Sequence, residues 1–293
     1  MGISQYIKEI GRGPRGSKPL TREQAADLFG QLLDGNVTDL EIGAFCLAMR
    51  IKGETPEEMC GFLDAAHSRM ALFPASDRPV IVLPSYNGAR KLPVLTPLLA
   101  LLLAREGLPV LLHGMRTEAR RTLASDVLLA LGVPALTAPE KIATGSVAHI
   151  ETGYLHAALA RLLKVREVVG LRNAGHSIVK LMNPCAGPAV VVTSYTHPEY
   201  YDMLQATFGA LHMTALLSRG LEGEVATDPR RTPRYDAFVA GVHQLLQEQQ
   251  PGTAADVPGL PTEIDIDTTA RYTQDVPAGR LPVPPALAAH RDH

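Results

Sequence analysis

The hydrophobic rhythm of the chain changes near residue 80. Before that point apolar residues recur every three or four positions between short polar breaks, the period of helices packed on one face. Thr21-Arg-Glu-Gln24 is a capping box that opens one helix, and Gly35 can close it. Residues 39–52 place Ile42, Phe45, Cys46 and Met49 on one stripe. Thr55-Pro56-Glu57-Glu58 combines a cap, a proline at the first helical position and acids in the first turn. Beyond residue 80, short apolar runs alternate with helical patterns. Strands are predicted over 80–83, 110–113, 190–193 and 213–217, and helices near 96–106, 120–131, 139–145, 153–168, 172–182 and 198–209. This alternation predicts an α/β protein with a mostly parallel central sheet flanked by helices, after a smaller all-helical part. Past about residue 250 proline, glycine and acids dominate, and Pro285 opens a helix expected to stop within a turn or two.

The first predicted strand leads into Val82-Leu-Pro-Ser-Tyr-Asn-Gly-Ala-Arg-Lys91, a strand–turn–helix junction of the kind that binds phosphate in α/β proteins. Such loops usually carry several glycines so that backbone and anion can approach closely. Here there is only Gly88, followed by Arg90 and Lys91, with Ser85 and Asn87 as further donors. The pattern fits an anion site gripped by side chains, or a plain exposed turn.

Composition narrows the classes. The chain has 293 residues, 46% hydrophobic and 20% charged, ordinary for a folded domain with ample core. No apolar run approaches the roughly 20 residues of a membrane span. The first residues are polar where a signal peptide would be apolar. Cys46, Cys60 and Cys185 lack zinc spacing and read as thiols of a reducing compartment, so a cytoplasmic location is expected. A net charge of −2 argues against a uniformly basic surface, yet the charge is uneven. Arg161, Lys164, Arg166, Arg172 and Lys180 face only Glu167 over residues 161–180. Arg172, His176 and Lys180 are spaced i, i+4, i+8, one basic face if the segment is helical, with Ile178, Leu181 and Met182 opposite. That face is either simply solvated or a phosphate contact. Residues 11–16, Gly-Arg-Gly-Pro-Arg-Gly, are a basic arm or a plain loop. His113 reads as a ligand donor or a locally satisfied side chain. The remaining histidines show no metal spacing, and no metal is expected. Nothing places an acid beside His197 to complete a triad with Ser194.

Several segments, in order, resemble the glycosyltransferase family 3 fold of anthranilate phosphoribosyltransferase and the pyrimidine-nucleoside phosphorylases. Leu20-Thr-Arg-Glu-Gln-Ala-Ala-Asp-Leu-Phe and the run from Gly43 to Glu58 are similar to that family's dimerising helical domain. Leu112-His-Gly-Met-Arg116 stands where the enzymes have Lys-His-Gly-Asn-Arg, which brings His113, Gly114 and Arg116 into the candidate phosphate site. Ala124-Ser-Asp-Val-Leu-Leu-Ala-Leu-Gly132, Val165-Arg-Glu-Val-Val-Gly-Leu-Arg172 and His197-Pro-Glu-Tyr200 have counterparts as well. The resemblance implies a helical domain over residues 1–73, joined by helices from about 153–182, and a phosphoribosyltransferase-like domain over 74–293.

The departures fall on the chemistry. The enzymes hold phosphoribosyl pyrophosphate in a Gly-Thr-Gly-Gly-Asp-Gly loop, where this chain has Pro84-Ser-Tyr-Asn-Gly-Ala89. Pro84 lacks an N–H, and Ser85-Tyr86 adds bulk where pyrophosphate would sit. The family's lysine is Leu112, and its second-magnesium acids align with Val225-Ala226, with Glu222, Glu224 and Asp228 close enough for a shifted site. Arg166 stands where the enzymes place an arginine for the anthranilate carboxylate; a remnant, an ion-pair member and a phosphate contact are all open. The altered loop resembles the YbiB-type, anthranilate phosphoribosyltransferase-like branch, although this chain is expected to depart from that branch at its C-terminus, in the final helical segment. Resemblance to it implies a homodimer that binds single- or double-stranded nucleic acid, DNA included, with little sequence preference and without proven transferase activity; no catalytic residue and no cofactor are expected. Contacts are then expected from Arg161, Lys164, Arg166, Arg172, His176 and Lys180. With 5% aromatic residues and no tryptophan, backbone contact should outweigh base stacking. The alternative is an active transferase with an unusual donor and magnesium, its site lined by Arg90, Lys91, His113, Arg116, Ser125 and Arg166. A degenerate scaffold or sensor is the third reading.

Overall fold

The computed structural model describes residues 2–13, 15–117 and 120–293; Pro14, inside the candidate basic arm, lies outside the described residues. The first four helices are α1 (Ser4–Ile10), α2 (Arg22–Leu33), α3 (Asp39–Lys52) and α4 (Pro56–His67). Threonine starts the last three. Thr21, Thr38 and Thr55 each accept an N–H from the third helical residue, and Gln24, Glu41 and Glu58 return the bond. Glu58 is fully buried and also accepts from the Leu20 amide at 2.9 Å and Lys52 Nζ at 2.5 Å. Gly61 lets α2 and α4 touch, since a Cβ there would stand 2.2 Å from the Arg22 carbonyl. Phe29, Phe45 and Phe62 fill the centre, with Phe29 and Phe62 centroids 5.0 Å apart.

The rest of the chain runs β1 (Val80–Ser85), α5 (Thr96–Arg105), β2 (Val110–Gly114), α6 (Ala124–Ala130), β3 (Ala135–Leu136) and β4 (Val147–Glu151). It continues through α7 (Thr152–Leu155), α8 (Ala157–Val169), α9 (Gly175–Ile178), β5 (Ala189–Tyr195), α10 (Glu199–Ala210) and β6 (Ala215–Arg219). It ends with β7 (Tyr235–Val239), β8 (Val242–Gln247), α11 (Ile266–Asp275) and α12 (Pro285–Asp292). The eight strands form one sheet in the order β3-β4-β2-β1-β5-β6-β7-β8. The β6–β7 and β7–β8 pairs are antiparallel and the others parallel, the mostly parallel sheet that the alternation predicts. From β1 the chain steps to β2 on one side and returns to β5 on the other. The crevice beyond the carboxyl ends of β1 and β5 is therefore a topological switch point, where α/β sheets bind ligands. Packing of α8 on α2, and of α9 and α10 on α4, brings the first helices against this end of the sheet.

Four expectations fail locally. The predicted helix over 139–145 is irregular, because Ile142 is its one buried apolar side chain and offers no helical face. The helix over 153–168 breaks at His156, whose Nδ1 accepts the Leu159 amide and caps α8. The helix over 172–182 shrinks to α9. Asn173 donates to the Leu162 carbonyl and accepts the Gly175 amide, while His176 Nδ1 accepts the Asn173 amide, so the main chain before residue 175 is already committed. Arg172 precedes this short helix and Lys180 follows it, so the two do not share one exposed helical face with His176. Strands β3, β4, β7 and β8 and helix α11 are additional; α11 starts at an Asp265 cap, and its Tyr272 and Val276 close over Leu98 and Leu102 of α5.

Candidate functional site

At the end of β1 the loop does not present its donors to the crevice. It gives them to two carboxylates from the segment after β6. Glu224, 4% exposed, accepts from Ser85 Oγ at 2.6 Å, the amides of Asn87 and Gly88 at 2.8 Å each, and Thr96 Oγ1 at 3.0 Å. Thr96 opens α5, so the carboxylate lies at a helix start, where a phosphate would be favoured. Glu222 accepts the amides of Arg90 at 3.0 Å and Lys91 at 2.9 Å through Oε2. Asn87 Nδ2 donates to the Glu222 carbonyl at 2.9 Å, and Lys180 Nζ to the Gly223 carbonyl at 2.9 Å. Ser194 Oγ completes the clasp on the Glu224 carbonyl at 2.9 Å. Gly88 has φ +65°, and a Cβ there would stand 2.7 Å from the Thr122 carbonyl, which explains why this loop keeps its one glycine.

In front of the clasp lies a cleft of about 750 Å³. Its walls come from the end of α3 and the turn after it (Arg50, Gly53, Glu54), the loop (Asn87, Arg90, Lys91), the α9 region and the end of β5 (Thr193–His197). Arg50, Arg90, Lys91, Arg121, Arg172, Lys180 and Arg230 line it against Glu54 and Glu222. Burial raises the Glu54 carboxyl above its ordinary range. Burial pushes Lys180 down to about 8 against the attraction of Glu224, leaving it mostly protonated at neutral pH. His176 is 7% exposed; burial first, then Arg172, pushes it down to about 4, and its Nε2 has no hydrogen-bond partner. It is a neutral donor or acceptor at the wall, not a cation.

The other predicted residues scatter. Arg161 and Lys164 are exposed on α8 and Arg166 donates to the Thr117 carbonyl at 2.9 Å; none of the three lines the cleft. Tyr86 turns inward instead of filling the phosphate position. It is 2% exposed, and its hydroxyl bonds His113 Nδ1 at 2.8 Å and Thr152 Oγ1 at 2.9 Å. His113, fully buried and pushed down to about 3, belongs to that packing. Gly114 is required by the sheet, since a Cβ would collide with the Ser85 carbonyl. Arg116 pairs with Asp126 at 2.6 Å. Of the six residues assigned to the alternative transferase site, Arg90 and Lys91 reach the cleft, while His113, Arg116, Ser125 and Arg166 are not among its walls. The shifted magnesium site does not assemble either. Glu222 and Glu224 are turned to the loop, Asp228 pairs with Arg230 at 2.8 Å, and the described residues hold no group of three side chains fit for a metal.

Residues 4–70 match the helical bundle domain of the glycosyl transferase family. The protein YbiB of Escherichia coli (strain K12) is 37% identical over 294 residues, covering 98% of this chain and 91% of that protein. The chain belongs to the YbiB-type proteins of glycosyltransferase family 3. Anthranilate phosphoribosyltransferase of Methylorubrum extorquens (strain PA1) is 31% identical over 72% of the chain and 65% of the enzyme. Among solved structures, the anthranilate phosphoribosyltransferase of Thermus thermophilus superposes with a TM-score of 0.72 at 21% identity, covering 99% of this chain and 85% of that one. The Saccharomyces cerevisiae enzyme in complex with PRPP and Mg gives 0.66 at 14% identity, covering 99% and 84%. The fold is thus that of the transferases.

What sequence reasoning misses in this YbiB-type chain is the partner of the loop. Read as isolated acids, Glu222 and Glu224 suggest magnesium ligands. The better signal is their setting, Gly220-Leu-Glu-Gly-Glu224, two acids bracketed by glycines directly after a strand that ends beside β5. Such a turn can press its carboxylates back into a neighbouring loop.

Proposed function

We propose that this YbiB-type chain is a homodimeric, cytoplasmic nucleic-acid-binding protein that grips the sugar-phosphate backbone of DNA or RNA without sequence preference and carries out no transferase chemistry. The observation that carries the reading is the clasp. The amides and hydroxyls that would cradle a pyrophosphate are spent on Glu222 and Glu224, while the cleft in front keeps its lysines and arginines. Arginine and lysine side chains around a groove suit backbone phosphates, which supply most non-specific affinity. Arg161 and Lys164 lie exposed on α8, the helix that leads into Arg172. Leu40, Leu47 and Ile51 are exposed along α3, Leu40 by 83%, an apolar stripe that supports dimerisation through the helical domain. Three buried, unpaired cysteines suit a reducing compartment.

The test is a titration of a labelled oligonucleotide at several salt concentrations, with phosphoribosyl pyrophosphate and magnesium as competitor. Affinity should fall roughly 50-fold between 50 and 200 mM salt if about three phosphates are contacted. The competitor should have no effect, and Arg172→Glu should weaken binding about tenfold or more. Binding of phosphoribosyl pyrophosphate without binding of the oligonucleotide would sink the reading.

A further inference from the structure

The two carboxylates of the clasp are not held equally. Glu224 is buried and takes four donors. Glu222 lines the cleft; its Oε2 accepts the amides of Arg90 and Lys91, and its Oε1 is held only by the ion pair with the exposed Arg90 side chain. Its side chain is 9% exposed, yet Oε1 has no hydrogen-bond partner and lies 3.5 Å from Arg90 Nε. The backbone of Glu222 sits at φ +55°, a left-handed conformation unfavourable for a residue with a long side chain. Gly223 follows at φ +85°. The carbonyls of both residues are fixed by Asn87 and Lys180, so the main chain is pinned by bonds that do not involve the carboxylate.

We propose that Glu222 is an internal competitor for phosphate, and that displacing its carboxylate opens the Arg90 and Lys91 amides as a phosphate subsite on the floor of the cleft. Two adjacent amides with the Arg90 guanidinium alongside make a site for one doubly coordinated phosphate oxygen. The ligand class is a phosphate oxyanion; building on the proposed function, a backbone phosphate of the bound nucleic acid is the occupant. Glu224 stays in place when this happens, because its four donors hold it behind the loop.

The probe is inorganic pyrophosphate, titrated calorimetrically into the full chain at low salt, with wild type, Glu222→Ala and Glu222→Gln compared. The alanine variant should bind pyrophosphate at least tenfold more tightly than wild type. The glutamine variant, which keeps an acceptor oxygen and loses the charge, should fall between. For a labelled oligonucleotide, Glu222→Ala should tighten binding and steepen the salt dependence by up to about one unit, because the phosphate no longer shares the subsite with the carboxylate. Equal pyrophosphate affinity in all three proteins, each melting cooperatively, would overturn the proposal. Should the alanine variant not fold, the glutamine variant against wild type decides the same question. Tighter pyrophosphate binding in proteins that ignore the oligonucleotide would uphold the subsite and reject nucleic acid as its occupant.

Discussion

Replacing Glu224 with alanine should lower stability by about 3–5 kcal/mol, since each buried donor left unsatisfied costs roughly 1–3 kcal/mol. Four donors converge on this carboxylate, and Lys180 is held beside it. Removing it strands two amides and two hydroxyls in the interior and deprives Lys180 of the attraction of Glu224. For a chain of this size the loss corresponds to a fall in melting temperature on the order of 10 °C. A second readout separates this from an ordinary cavity effect. Sulfate or pyrophosphate should restore part of the lost stability in Glu224→Ala and do little for wild type, because the freed donors suit an oxyanion. A melting temperature within about 2 °C of wild type would show that the loop does not depend on its internal carboxylate.

The second large effect is acid sensitivity well above the range where carboxylates titrate. Burial pushes His113 and His290 down to about 3, and His156 and His176 to about 4. Unfolding returns each to the ordinary value near 6.5. A folded pKa below the unfolded one means that the unfolded chain binds the proton first. The stability these neutral rings contribute is therefore complete above pH 6.5 and drains away as pH falls toward 4. At pH 5 each costs about 1–2 kcal/mol, so the four together exceed any single core substitution. Asp34, Asp228 and Asp236 have lowered pKa values and add their losses only below about pH 4. Melting between pH 7.5 and 5 reports mainly on the buried histidines, and a drop on the order of 10 °C is expected. His67 and His149, also lowered by burial, add to the loss, and the raised Glu54 carboxyl opposes it. A flat melting temperature across that window would show that the rings accept protons without leaving their places.

The central strands are legible because a parallel strand buried on both faces reads as an unbroken apolar run, as in β1, β2 and β5. Helices α2, α3 and α4 are legible because their caps are local, three residues apart. β8 is not, since it is a sheet edge whose Val242 and Leu245 are exposed and carry no burial pattern. The site divides in the same way. Charge and spacing pick out Arg90, Lys91, Arg172, His176 and Lys180, and all five line the cleft. Their arrangement is not legible, because the side chains of Asn173 and His176 claim main-chain groups that a helix from residue 172 would need. The clasp is out of reach for another reason. Ser85 and Glu224 are 139 positions apart, and no local pattern tells a carboxylate which distant loop it will enter.

A ligand carried by its own chain sets a threshold as well as filling a site. The Glu222 carboxylate is tethered a few ångströms from the amides it occupies, so it competes at an effective concentration in the millimolar range or higher. A small free phosphate ester would have to exceed that level to enter. On the proposed function, a polyanion held along the cleft by Arg172, Lys180 and Lys91 would bring its next phosphate at a comparable effective concentration, and the two would be evenly matched. Such a tether would sort by valency, closing the crevice to single small anions and leaving it open to a chain of them.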